Sequence, residues 1–189
     1  MLILGLTGST GVAAYGVVAN LSLVGMAIMN GMAQGVQPLI SESFGKGAFD
    51  DVKKLLHWGL TCVVAIEIIM VALVWSFTDP FISVFNSENN QLLLEYAHVG
   101  LRLYFLGFLF AGVNIVLVAY FSATANARPA IIGSLLRGAV AIGICAIVLS
   151  RIFGMNGVWL SFLTSEVITF IIVLLLARHK ESGKTNAYV

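Results

Sequence analysis

The chain has 189 residues, of which 59% are hydrophobic and 10% charged, and a formal net charge of +1. A soluble domain carries about 25% charge, so this chain cannot wrap its apolar surface in a polar shell, and lipid must be the solvent for much of it. A mean hydropathy of +0.99 agrees, and the near-zero net charge removes any electrostatic case for nucleic acid.

In chain order, the opening run from Met1 to Leu6 has no basic segment and no cleavage pattern. It reads as the tail of a membrane helix that starts upstream. A bilayer core requires about 20 mostly apolar residues per helix. Five stretches meet this: 12–38, 55–78, 97–122, 130–150 and 157–177. Polar turns separate them. Phe44–Ala48, with Asp50 and Asp51, follows the first. Asp79-Pro80 is expected to stop the second, since proline cannot continue the hydrogen-bond ladder. Asn86 to Gln91 forms a polar loop, Arg128-Pro129 places proline where a helix starts, and Gly154–Gly157 turns between the last two spans. The tail 178–189 is short, polar and expected to fray.

Basic residues set the orientation. Lys46, Lys53, Lys54, Arg128, Arg178, Lys180 and Lys184 share one side if the spans alternate, against Arg102 and Arg151 on the other. The positive-inside rule then makes the 44–54 and 123–129 loops and the tail cytoplasmic. The N-terminus falls outside, which an additional upstream helix ending near Leu6 would explain.

The first span carries Asn30, Gln34, Gln37 and Ser41 at spacings of about four, three and four, hence on one face. Such a stripe either lines a water-filled cavity or bonds to another helix. Gly31 and Gly35 form a small-residue pair that permits close helix approach. Pro38 is expected to loosen the cytoplasmic end of that helix. Three ionisable residues fall deep in spans: Glu67, Arg137 and Glu166. Each costs about 2.5–3.5 kcal/mol on insertion scales if unpaired. At 1.5 Å per residue, Arg137 lies about 11 Å from the cytoplasmic edge and Glu166 about 14 Å from the outer edge of a ~30 Å core, so an Arg137–Glu166 ion pair is within reach. Glu67 has only apolar helical neighbours and must either be neutral or meet a polar group on another helix. Asn114 sits mid-membrane as a polar contact for cation or substrate. Tyr104, Tyr120, Trp58, Trp75 and Trp159 fall near span ends and read as interfacial anchors. Cys62 and Cys145 read as buried small apolar residues. No metal-ligand spacing and no HExxH, P-loop, GxSxG or dinucleotide motif occurs, so no catalytic or metal residue is assigned and an enzyme has no support.

Val12-Ala13-Ala14-Tyr15-Gly16-Val17, Gly35-Val36-Gln37-Pro38-Leu39-Ile40-Ser41 and Phe44-Gly45-Lys46-Gly47-Ala48 resemble the second helix of a lobe in multidrug and toxic compound extrusion (MATE) transporters, with its cytoplasmic turn. Leu101–Phe105, Tyr120–Ala123, Arg128–Ala130, Leu135–Gly138 and Phe153–Trp159 look like the rest of a C-terminal MATE lobe. The resemblance implies an all-α polytopic transmembrane bundle of about five spans, part of a two-lobe transporter. Matched to that plan, the chain supplies helices 8 to 12, and the N-terminal lobe is missing. It also implies alternating access and export of small cationic or amphipathic drugs across the cell membrane. The driving force would be inward Na+ or H+, with no other cofactor. Asn30, Gln34 and Gln37 would line the cavity; Glu166 and Asn114 would contribute to ion or substrate handling. The alternatives are a lipid-linked precursor flippase of the same superfamily, which needs a cavity more basic than Arg137 alone provides, and a truncated, non-transporting fragment.

Overall fold

The computed structural model describes residues 2–185, with side chains as far as Ala177 apart from that of residue 139. Every regular element in it is helical. Helix α1 spans Leu2–Gly45, α2 Phe49–Ser76 and the short α3 Thr78–Ser83. Then come α4 (Gln91–Phe105), α5 (Phe108–Ala123), α6 (Ala127–Leu135), a π-helical turn (Leu136–Val140), α7 (Ala141–Phe153) and α8 (Met155–Thr185).

Four helical stretches are long and apolar enough to cross a bilayer, and α4 with α5 makes a fifth if the pair is one span bent by 41°. The 12–38 run lies inside α1, whose 44 residues are interrupted only at Gly8 (φ 67°, ψ −160°). Pro38 does not break it: α1 continues a further two turns to Gly45. The Asp79-Pro80 pair does not end a helix either. α2 ends at Ser76, and Pro80 falls in the first turn of α3, where a missing N–H costs nothing. Asn90 starts α4 by accepting a hydrogen bond from the Leu93 amide at 3.2 Å. Between α7 and α8 a single residue, Gly154 (φ 59°, ψ −132°), is non-helical. Three residues on, a Cβ on Gly157 would sit 1.9 Å from the Leu149 carbonyl oxygen, so only glycine allows the α7–α8 hairpin to close this tightly. The tail does not begin as a frayed end, because α8 continues through Thr185; residues 186–189 lie outside the described residues.

The core is built around α5, which packs against α1, α2, α6 and α8, while α4 lies against α1 and α8. Glycines set the distances. A Cβ on Gly100 would meet the Trp159 ring at 2.8 Å, and one on Gly107 would meet Phe162 at 2.5 Å and the Leu163 backbone nitrogen at 3.0 Å. The bent α4–α5 corner therefore seats directly on α8. By contrast, nothing lies within 4 Å of a Cβ on Gly31 or Gly35, so the small-residue pair noted in the sequence is not a helix contact among the described residues.

Two aromatic assignments change. Trp159 is only 1% exposed and stacks on Tyr15 at 5.8 Å, and Tyr104 is buried and stacks on Phe162 at 4.5 Å. Both sit in the core, not at the interface: Gly100 of α4 leaves room for the Trp159 ring, and Tyr104 packs flat on Phe162. Trp58 and Trp75 do face outward. Cys62 is exposed on the bundle's surface and Cys145 is buried. The outer face of α2 presents Ile68, Ile69 and Leu73, and that of α7 presents Ile144, Ile147, Val148 and Ile152. These stripes are what hydrocarbon solvates.

Candidate functional site

Glu67, Asn114 and Glu166 are buried inside the bundle, whereas Asn30 and Gln34 are exposed on α1 and Gln37 is half-buried. Glu166 on α8 is 3% exposed. Its Oε2 accepts a hydrogen bond from Asn114 Nδ2 at 2.7 Å and faces Arg137 Nε at 3.4 Å. The Asn114 amide also donates to the Glu166 backbone carbonyl at 2.9 Å. One asparagine thus clamps α5 to α8 twice, and the bond to the carboxylate is the stronger kind, about 1.5–3 kcal/mol. The Arg137–Glu166 pair expected from helical depth is present, with side chains 14% and 4% exposed. Neighbouring hydroxyls do not compete for the carboxylate. Ser161, Ser165 and Thr169 each donate to a carbonyl of their own helix.

Arg137 occupies the π-helical turn, a wider turn often found where a helix serves a site. From there it reaches a cavity of about 230 Å³ that also takes in Asn30, Gln34, Gln37 and Ser122, with Ile115 and Val118 as apolar wall. The structure therefore brings Asn30, Gln34, Gln37 and Arg137 together. Asn114 and Glu166 do not line this cavity but connect to it through Arg137. Ser41 is not part of it. Ser122, at the end of α5, went unassigned in the sequence because nothing there shows which side of the helix it takes.

Of the two alternatives open for Glu67, the structure supplies a polar group on another helix. Fully buried, Glu67 accepts a hydrogen bond from the backbone N–H of Gly112 at 2.6 Å. A Cβ on Gly112 would lie 2.5 Å from Glu67 Oε1, so the contact exists because residue 112 has no side chain. Residues 112 and 114 point to nearly opposite sides of a helix that turns about 100° per residue. Helix α5 is thus gripped from α2 by one carboxyl and from α8 by another. Glu67 Oε2 and Asn114 Oδ1 are buried without a hydrogen-bond partner among the described residues.

Spans of bilayer length, a polar cavity open at the bundle's flank and buried ionisable groups beside it define a polytopic helical membrane protein of the transporter class. The MatE family profile matches residues 1–147. The multidrug export protein MepA of Staphylococcus aureus is 26% identical over 171 residues, covering 89% of this chain but only 37% of MepA. The inward-facing structure of a multidrug resistance MATE family transporter superposes with a TM-score of 0.87 at 17% identity, over 100% of this chain and 43% of that one. Its outward-facing counterpart gives 0.86 at 16% identity, over 98% and 42%. The chain belongs to the MatE family, a family of membrane transporters and not of enzymes. It spans little more than a third of the length of MepA.

Proposed function

We propose that this chain forms part of a multidrug efflux antiporter of the plasma membrane, driven by inward movement of Na+ or H+. The observation that carries this is the shared cavity of Asn30, Gln34, Gln37 and Arg137, with Arg137 paired behind it to the buried carboxyl of Glu166, which Asn114 holds. A buried carboxyl that a cavity-lining side chain links to the cavity is the type of group to which a coupling cation binds and from which it leaves. The substrates are small cationic or amphipathic drugs, and the facing wall of the cavity comes from an N-terminal lobe. The similar likeness to inward- and outward-facing transporters supports a lobe that keeps its shape while the two lobes rock about a central site. The segment 44–54 and the C-terminal end lie in the cytoplasm, in accord with their lysines and arginines.

The test uses inside-out vesicles from cells producing the chain together with the N-terminal half of a MATE transporter. Ethidium is expected to accumulate when Na+ or H+ is concentrated in the lumen, and Glu166→Ala is expected to abolish accumulation. Accumulation indifferent to both gradients would reject the coupling. Absence of transport by the reconstituted pair would reject efflux.

A further inference from the structure

We infer that the cavity between α1, α5 and the π-helical turn carries an anion subsite centred on Arg137, which takes the carboxylate of an amphipathic, carboxyl-bearing compound. The inference deepens the efflux reading, on which it rests for the cavity's role, by naming a substrate class for it.

Charge is the first argument. Among the residues lining the cavity, Arg137 is the one that carries a formal charge. Its counter-ion Glu166 sits behind it, 3% exposed and outside the cavity lining. A ligand group entering from the open side therefore meets the guanidinium before it meets a carboxylate.

Unused hydrogen-bonding capacity is the second. A guanidinium offers five N–H donors in a planar fork. Only Nε–H has an acceptor among the described residues, Glu166 Oε2, and at 3.4 Å that bond is long for a charge-assisted one. The Nη atoms are not among the buried unsatisfied atoms, so they are not sealed off. The side-chain amides of Asn30, Gln34 and Gln37 and the hydroxyl of Ser122 likewise find no hydrogen-bond partner among the described residues. A carboxylate matches the free edge of the fork in a bidentate manner, and nearby amide N–H groups add further donors.

Size and depth narrow the ligand. About 230 Å³ is below the usual range for a whole drug-sized ligand, but it holds one polar head group. Counted from Ala130 at 1.5 Å per residue, Arg137 falls about 11 Å from the cytoplasmic edge of its span, deeper than the phosphate of a surrounding bilayer lipid. The occupant is therefore a small amphiphile that inserts its acid group, with its apolar part against Ile115 and Val118.

The test compares a xanthene dye bearing a free carboxyl group with the methyl ester of the same dye. Fluorescence polarisation would measure binding to the detergent-purified full chain. The acid is expected to bind about tenfold or more tightly than the ester. Arg137→Gln is expected to erase that preference, and Arg137→Lys to retain part of it. Because Arg137→Gln leaves the buried Glu166 without its counter-ion, Glu166→Gln provides a second measurement that does not depend on that variant folding. It keeps a hydrogen-bond acceptor for Asn114 and removes the charge that competes for the guanidinium, so the acid is expected to bind severalfold more tightly. Equal binding of acid and ester to the wild-type chain, or acid binding unchanged or weakened in Glu166→Gln, would overturn the subsite. Acid preference without gradient-driven transport would remove the efflux reading and leave the subsite standing; transport without acid preference would do the reverse.

Discussion

Replacing Gly112 with alanine tests whether α1, α2 and α5 meet as closely as described. The added Cβ would lie 2.5 Å from Glu67 Oε1, 2.6 Å from Val63 Cγ2 and 2.7 Å from Met29 Sδ. Met29 can move its flexible end, but Val63 is β-branched and Glu67 is held by the hydrogen bond that the methyl would displace. Overpacking of this kind costs about 1–3 kcal/mol. Losing the 2.6 Å bond leaves a fully buried carboxyl without its partner, about 1–3 kcal/mol more. The gain in helix propensity from glycine to alanine returns about 1 kcal/mol. The balance is a loss of about 3 kcal/mol, equivalent to roughly 6–12 °C in melting temperature for a domain of this size. Gly31→Ala is the control, since its Cβ meets nothing within 4 Å and should hold the melting point or raise it slightly. The assay is thermal unfolding of both variants in detergent, followed by size-exclusion fluorescence. Should Gly112→Ala melt with the wild type while Gly31→Ala falls, the close packing around α5 is wrong.

Three further outcomes are expected. Arg137→Ala should destabilise the chain by about 3–5 kcal/mol, because it leaves Glu166 buried and unpaired, whereas Arg137→Met with Glu166→Leu should cost markedly less; equal melting losses would contradict a coupled pair. Brominated lipids should quench the outward-facing Trp58 and Trp75 and spare Trp159 at 1% exposure, so Trp58→Phe with Trp75→Phe should remove most of the quenchable emission and Trp159→Phe little of it. In cells, a cysteine at Ser87 should react with an impermeant maleimide added outside, and one at Lys46 only after permeabilisation; the opposite pattern would reverse the orientation argued from the basic loops.

The spans were legible because about 20 apolar residues leave few other structures open in a sequence this poor in charge. The Arg137–Glu166 pair was legible for a related reason: rise per residue converts position into depth, and two opposite charges at similar depth have strong cause to meet. The bend between α4 and α5 was not legible, since Leu106-Gly107 sits in an uninterrupted apolar run and the corner is stabilised by Phe162 and Leu163 from a distant helix. Trp159 was misplaced for the same reason. Its position near a span end suggested the interface, but the gap left by Gly100 decided its burial. The partner of Glu67 could not be read at all, because it is a backbone N–H, which every residue but proline carries and no sequence pattern marks.

The π-helical turn has a consequence for how such a lobe tolerates change in length. It holds one residue more than an α-helix would place in the same stretch. Deleting a single residue from 136–140 would let the backbone settle into ordinary helix while the lipid-facing stripe of α7 keeps its bearing. The same deletion within α5 would swing every later side chain by about 100° and tear Asn114 from Glu166. The segment that carries the cavity's charge is thus also the one whose backbone best absorbs a shortened chain, and what such a deletion gives up is the pairing of Arg137 with Glu166, not the packing of the helices.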